Sequence, residues 1–157
     1  MLVEVHSAAN GAAETLDAFA ASLFTEINKA EPVQLVDLPD KADAAEKQIL
    51  EDAAQVLALD FPTMFKPSTR CRAPHINVDV LRDKCFRANV VERYEIQSAA
   101  ELVAWLRARN DECAAKDEAF WLAKRGRRSE QATRNALTKA KSHSMYLGLG
   151  WEWLRAP

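Results

Sequence analysis

Length and composition favour one helical domain without a membrane span. The chain has 157 residues, of which 28 are Ala and 4 are Gly, and 48% are hydrophobic. This length is typical of a single domain, and many Ala with few Gly favour helices over a turn-rich sandwich of strands. No run approaches the ~18 consecutive apolar residues of a membrane span, and residues 1–6 lack the basic start of a secretory signal.

The net charge of −2 conceals an uneven distribution along the chain. Residues 1–65 hold 3 basic and 12 acidic side chains, whereas residues 66–157 hold 18 basic and 11 acidic ones. The two parts therefore carry net charges of −9 and +7. Three explanations stay open: the basic part contacts nucleic acid, it binds an acidic protein, or it pairs with the acidic part of the same chain.

The first elements in chain order predict a small β-α-β unit in residues 1–40. Leu2–His6 alternates apolar and polar residues, which is typical of a strand. Apolar residues recur at helical spacing over Ala12–Ala30, and Pro32 ends that helix because the residue before a proline disfavours helical geometry. Val33–Asp37 is predicted to be the second strand.

Residues 41–157 predict four or five helices. The first spans Ala42–Leu59, and Asn77 is a good N-cap for the second, which is short. Val90–Val91 is predicted to be a brief extended link. The complete pattern predicts a single, mainly helical α+β domain over residues 1–157.

Two further helix starts and an apolar tail complete the predicted elements. Ser98 and Glu101 match a capping box, and the helix they begin is expected to pass Cys113. Ser129 is expected to cap the last helix. The apolar tail Met145–Leu154 is predicted to dock on the core, with its two tryptophans as packing residues.

The segment Leu23–Ala30, followed by Pro32 and Val33–Asp37, carries a resemblance to a known family. A strand, a helix that ends in Phe-x-x-Ile-Asn at Asn28, and a second strand resemble the latter part of ParB-like domains of the DGQHR type. That superfamily includes DNA-partitioning and DNA-modification-associated proteins, some of them nucleotide hydrolases or nucleases. The family's Asp-Gly-Gln-His-Arg signature is absent here. The resemblance therefore implies association with DNA and no catalytic residue.

Basic residues after position 123 are the main candidate site. Seven positive charges fall within 18 residues, enough to neutralise several backbone phosphates and release their counterions. The predicted nucleic-acid-binding residues are Lys124, Arg125, Arg127, Arg128, Arg134, Lys139 and Lys141. If a second basic cluster converges with the first, the two form one surface that suits a nucleic-acid backbone. This second cluster comprises Lys66, Arg70, Arg72, Arg82, Lys84 and Arg87.

The three cysteines suggest two weaker chemical hypotheses. Their odd number does not make a disulfide framework, which favours a reducing compartment such as cytosol or nucleus. Cys71 and His75, with Cys85 nearby, resemble part of a zinc site whose fourth ligand would be Cys113, His143 or a carboxylate. Alternatively, flanking arginines activate Cys71 as a nucleophile, with His75 as its base.

The preferred function is a noncatalytic, nucleic-acid-associated domain that resembles a ParB-like protein fragment and needs no cofactor or metal. The alternative is a structural or assembly subunit that binds an acidic or helical protein through its helical faces and Trp-rich tail. No membrane partner is expected.

Overall fold

Six α-helices make up most of the part of the chain that can be described. A computed structural model describes residues 35–37 and 43–155, which all belong to the unit Gln34–Pro157. The helices are α1 (Ala44–Asp60), α2 (Val78–Arg87), α3 (Val90–Arg93), α4 (Ala99–Ala114), α5 (Glu118–Ala123) and α6 (Glu130–His143). Short 3-10 turns lie at Leu35–Asp37, Leu147–Leu149 and Glu152–Arg155.

The predicted α+β class is wrong for the described residues. Residues 35–37 and 43–155 contain no strand, only one isolated parallel bridge between Phe65 and Ile76. Leu35–Asp37, the end of the predicted second strand, is a 3-10 turn. Its alternating pattern has another cause: Val36 is fully buried against α2, while Asp37 pairs with Arg82 at 2.8 Å. The rest of the predicted β-α-β unit, and with it most of the ParB-like segment, lies outside the described residues.

Side-chain caps begin the helices where the sequence predicted them. Asn77 Oδ1 accepts a hydrogen bond from the Val80 amide at 3.0 Å, and Ser129 Oγ accepts one from Ala132 at 3.1 Å. Ser98 caps α4 through the Glu101 amide at 3.2 Å. The Glu101 carboxylate binds the amide of Gln97 instead of that of Ser98, so the capping box closes one residue earlier than expected.

Two features between the long helices were not predicted. Val90–Val91 is not extended, because Asn89 adopts a left-handed conformation (φ 53°) and α3 begins directly after it. Asparagine tolerates that region better than most residues. Further on, Asp117 accepts from the Phe120 amide at 2.8 Å and starts α5 as a separate helix after α4.

The tail docks on the core, as predicted. Helix α1 packs against α4 and α2, α5 packs against α6, and the 3-10 turn Leu147–Leu149 packs on α4 and α6. Asn110 of α4 fastens this segment: its side chain donates to Ser144 O at 3.0 Å and accepts from the Tyr146 amide at 2.7 Å. The tail residues buried in the core are Met145, Leu147, Leu149, Trp153 and Leu154.

Candidate nucleic-acid interface

A cleft of about 500 Å³ brings residues from the two predicted basic regions together. Lys84 reaches it from α2, and Lys124 and Arg128 reach it from the loop between α5 and α6. Arg155, at the end of the tail, supplies a fourth cation. Among the described residues that line the cleft, Glu152 is the single carboxylate. The cleft therefore carries a clear excess of positive charge. We call it the basic cleft.

One wall of the basic cleft is the loop before α2. Its ends are held together where the Lys66 amide donates to Ile76 O at 2.8 Å. Asn77 closes the same loop, because its Nδ2 donates to the carbonyl oxygens of Lys66 and Pro67 at 3.2 and 2.9 Å while its Oδ1 caps α2. A single buried asparagine thus fixes both the loop and the start of the helix that carries Lys84.

The opposite wall is the tail, which touches this loop closely. A Cβ built on Gly148 would lie 1.9 Å from Pro74 O, so only glycine allows this approach. Trp153 fixes the following turn, since its Nε1 donates to Leu147 O at 3.1 Å and to Gly150 O at 2.9 Å. The neighbouring Trp151 lines the cleft.

Arg128 has the most contacts of the cations in the basic cleft. Its Nε donates to Arg125 O at 3.2 Å and its Nη2 to Leu149 O at 2.7 Å. Its Nη1 is buried and has no hydrogen-bond partner within the described part of the chain, and the same holds for Nε2 of His75. Both residues line the cleft. Arg128 Nη1 is a donor, and because a buried donor without a partner is costly, an oxyanion ligand is one group that satisfies it. His75 differs, because its Nδ1 donates to Arg72 O at 3.0 Å, which leaves Nε2 of the neutral ring as an acceptor.

The seven predicted binding residues do not form one surface. Lys124 and Arg128 line the basic cleft, whereas the other five do not. Arg125 donates to Leu122 O at 2.8 Å, and Arg134 binds Glu118 at 2.8 Å and lies 3.7 Å from Glu130. The remaining three, Arg127, Lys139 and Lys141, are exposed outside the cleft, as is the paired Arg134.

The second predicted cluster is also divided. Lys84 alone of its six members lines the basic cleft. Arg82 is 12% exposed and bound to Asp37, Glu51 and Asp79 at 2.8, 2.8 and 3.0 Å. The expected pairing between the basic and acidic parts of the chain therefore exists at Arg82.

A further such pair joins Arg107 to Asp60 at 2.6 Å. Pairs of this kind compensate part of the positive charge that a ligand would otherwise meet. None of the four cations of the basic cleft forms such a pair with a described carboxylate.

Sequence reasoning missed two members of the cleft, Trp151 and Arg155. Trp151 is half-buried, with the Lys84 ammonium 6.0 Å from its ring centroid. The sequence offered one signal for this pair. Trp151 precedes Arg155 by four positions in the tail, so an aromatic side chain and a cation lie close together there.

Neither cysteine hypothesis is supported by the geometry. The thiol of Cys71 donates to the carbonyl oxygen of His75 at 3.3 Å rather than to its ring, and burial raises the thiol's pKa. A raised pKa disfavours the thiolate that a nucleophile needs. Across residues 35–37 and 43–155, no three His, Cys, Asp or Glu side chains come close enough to hold a metal ion.

The other two cysteines are core residues. Burial raises the pKa of Cys85 to about 12 and that of Cys113 to about 11. All three thiols are free.

Comparisons with known proteins found no match for this chain. No family model matches it, and neither a curated protein nor a solved structure does so. The resemblance of residues 1–40 to ParB-like domains stays a prediction. None of the helices in the described ranges is both long and apolar enough to cross a membrane.

Proposed function

We propose that this chain is a noncatalytic nucleic-acid-binding domain that holds backbone phosphates in the basic cleft. The observation that carries the proposal is the convergence of Lys84 with Lys124 and Arg128, which lie 40 or more positions apart in the sequence. Folding creates this concentration of charge at the same place as a concave surface with an aromatic side chain.

The four cations suit phosphates in two different ways. Lys84 and Lys124 act as mobile point charges that neutralise a phosphate and release its counterion. Arg128 is held rigidly by two carbonyl oxygens, so its remaining donors are already oriented. A guanidinium that is oriented before binding loses little entropy when it binds a phosphate oxygen.

Binding rather than catalysis is proposed because of the chemistry of Cys71. Its thiol lines the cleft, but burial raises the pKa of this thiol and so favours its protonated form. The protonated thiol donates to the main-chain oxygen of His75. The assembly alternative depends on a free Trp-rich tail. Trp153 is buried with its Nε1 bound to two carbonyl oxygens, so that side chain is not available to a protein partner.

Paired lysine variants test the proposal. Lys84→Ala/Lys124→Ala removes two charges from the cleft, and Lys139→Ala/Lys141→Ala removes the same charge from the exposed face of α6. Affinity for a labelled oligonucleotide is measured by fluorescence anisotropy over a range of salt concentrations. We expect the cleft variant to lose roughly 10- to 100-fold in affinity at low salt and to reduce the salt slope by about 2.

At about 0.15 M salt the control variant should stay within roughly threefold of the wild type, because Lys139 and Lys141 do not line the cleft and salt screens exposed charges that do not contact the ligand. Equal losses in the two variants would show that only net charge matters and would overturn the cleft as the site. Failure of the wild type to bind any oligonucleotide at low salt would overturn nucleic-acid binding itself.

A further inference from the structure

A second cavity adjoins the basic cleft across a ridge of three residues. It measures about 570 Å³ and shares Lys84, Trp151 and Arg155 with the cleft. On its far side it is lined by Arg93 and by Arg87, whose Nε binds the buried Asp83 carboxylate. Positive charge therefore lies on both sides of the Trp151 ring. A ligand with one phosphate would use only one side, whereas a ligand with several phosphates could use both.

We infer that the ligand is a single-stranded nucleic acid that crosses this ridge, with one base on Trp151 and phosphates in both cavities. This inference rests on the proposed function and specifies its ligand. Proteins that bind single strands combine a basic groove along the backbone with aromatic rings on which bases stack. Every base has a π-face, so such a site tolerates many sequences.

Trp151 is held in place before any ligand arrives. Its ring lies 5.8 Å from that of Trp153, tilted by 41°, and the Trp153 Nε1 is bound to Leu147 O and Gly150 O. Because these contacts fix the turn that carries the ring, little ordering remains to be done on binding. A prepositioned ring favours stacking, and Lys84 beside it adds a cation to the same contact.

A duplex fits this surface poorly for a physical reason. Its bases are already stacked and paired, so placing one on Trp151 requires unstacking that costs a few kcal/mol per step. A single strand already exposes its bases. The structure thus favours single strands over duplexes of the same length and charge density, and strands that reach both cavities over a mononucleotide.

The test uses the full chain with three probes: a 12-nucleotide oligo-dT strand, a 12-base-pair duplex and a mononucleotide. Trp151→Leu removes stacking but keeps an apolar side chain, and Trp151→Phe restores a ring. We expect Trp151→Leu to weaken binding of the single strand about 5- to 100-fold with an unchanged salt slope, because the ring carries no charge. Trp151→Phe should recover most of that loss, and the wild type should bind the mononucleotide far more weakly than the strand.

Intrinsic fluorescence gives a second measurement that does not depend on the stability of Trp151→Leu. Stacking should quench wild-type tryptophan emission, and Trp151→Phe should abolish the quenching while it still binds. Equal affinity of the wild type for strand and duplex, together with unchanged emission, would overturn the single-strand inference and leave phosphate binding intact.

Discussion

Arg128 donates from Nη2 to the main-chain oxygen of Leu149 at 2.7 Å, which joins the loop between α5 and α6 to the tail. The same side chain lines the basic cleft. One arginine therefore links the two segments and also contributes positive charge to the site between them. Variants of Arg128 must separate its contribution to folding from its contribution to binding.

Arg128→Lys should separate these two contributions. Lysine keeps the charge but cannot reproduce the fork that binds both Arg125 O and Leu149 O. We expect the free energy of unfolding in urea to fall by about 1–2 kcal/mol, because a part-buried carbonyl loses its donor, while the salt slope of oligonucleotide binding stays near the wild-type value. Arg127→Ala, at an exposed position, is the control and should change the unfolding free energy by less than about 0.5 kcal/mol. A wild-type stability for Arg128→Lys would contradict the linking role.

Asn110 should matter more for stability than any exposed amide. Asn110→Ala leaves Ser144 O and the Tyr146 amide without their partner at the start of the tail. We expect a loss of about 2–4 kcal/mol in urea unfolding, since each unpaired buried group costs about 1–3 kcal/mol. Asn135→Ala is the matched control, because the amide of Asn135 only accepts from Gln131 on the exposed face of α6. Similar losses in both variants would show that Asn110 does not hold the tail.

Local signals predicted the helix starts well, and the reason is physical. A cap such as Asn77 or Ser98 satisfies amides within three residues, so its evidence is contained in a short stretch of sequence. The strand predicted at Val33–Asp37 rested on an equally short apolar pattern, which a turn that buries Val36 produces as well. A few alternating residues do not distinguish the two structures.

The charged site was only partly predictable for a different reason. Whether an arginine is free to bind depends on acids that are distant in sequence. Arg82 is bound by Asp37 and Glu51, and Arg134 is bound by Glu118. In the sequence, both arginines nevertheless belong to basic clusters. Lys84, by contrast, keeps its charge available and lines the cleft beside Trp151, a tail residue that is distant in sequence.

Gly148→Ala should damage both walls of the basic cleft. The added Cβ would lie 1.9 Å from Pro74 O and 2.9 Å from Ile76 Cγ1, so the loop or the tail must move. We expect a loss of about 1–3 kcal/mol in unfolding free energy and weaker oligonucleotide binding. Gly126→Ala is an informative contrast, because nothing lies within 4 Å of its Cβ position and its φ of +61° causes backbone strain alone. That strain costs about 1–2 kcal/mol. Unchanged stability and binding in Gly148→Ala would contradict the close approach of loop and tail.

Cys85 should make the fold sensitive to alkali. Burial raises the pKa of its thiol from 9.0 to about 12, so the unfolded chain loses this proton at lower pH than the folded one. The contribution to stability is therefore complete below about pH 9 and is lost as the pH rises from 9 towards 12, by up to about 1.4 kcal/mol per pH unit.

Because other groups also titrate in this range, the measurement is a difference: urea unfolding of wild type and Cys85→Ala at about pH 8 and pH 10.5. The stability advantage of the wild type should shrink by about 1–2 kcal/mol between the two conditions. An advantage that stays constant or grows with pH would show that the Cys85 thiol is not held protonated by the core.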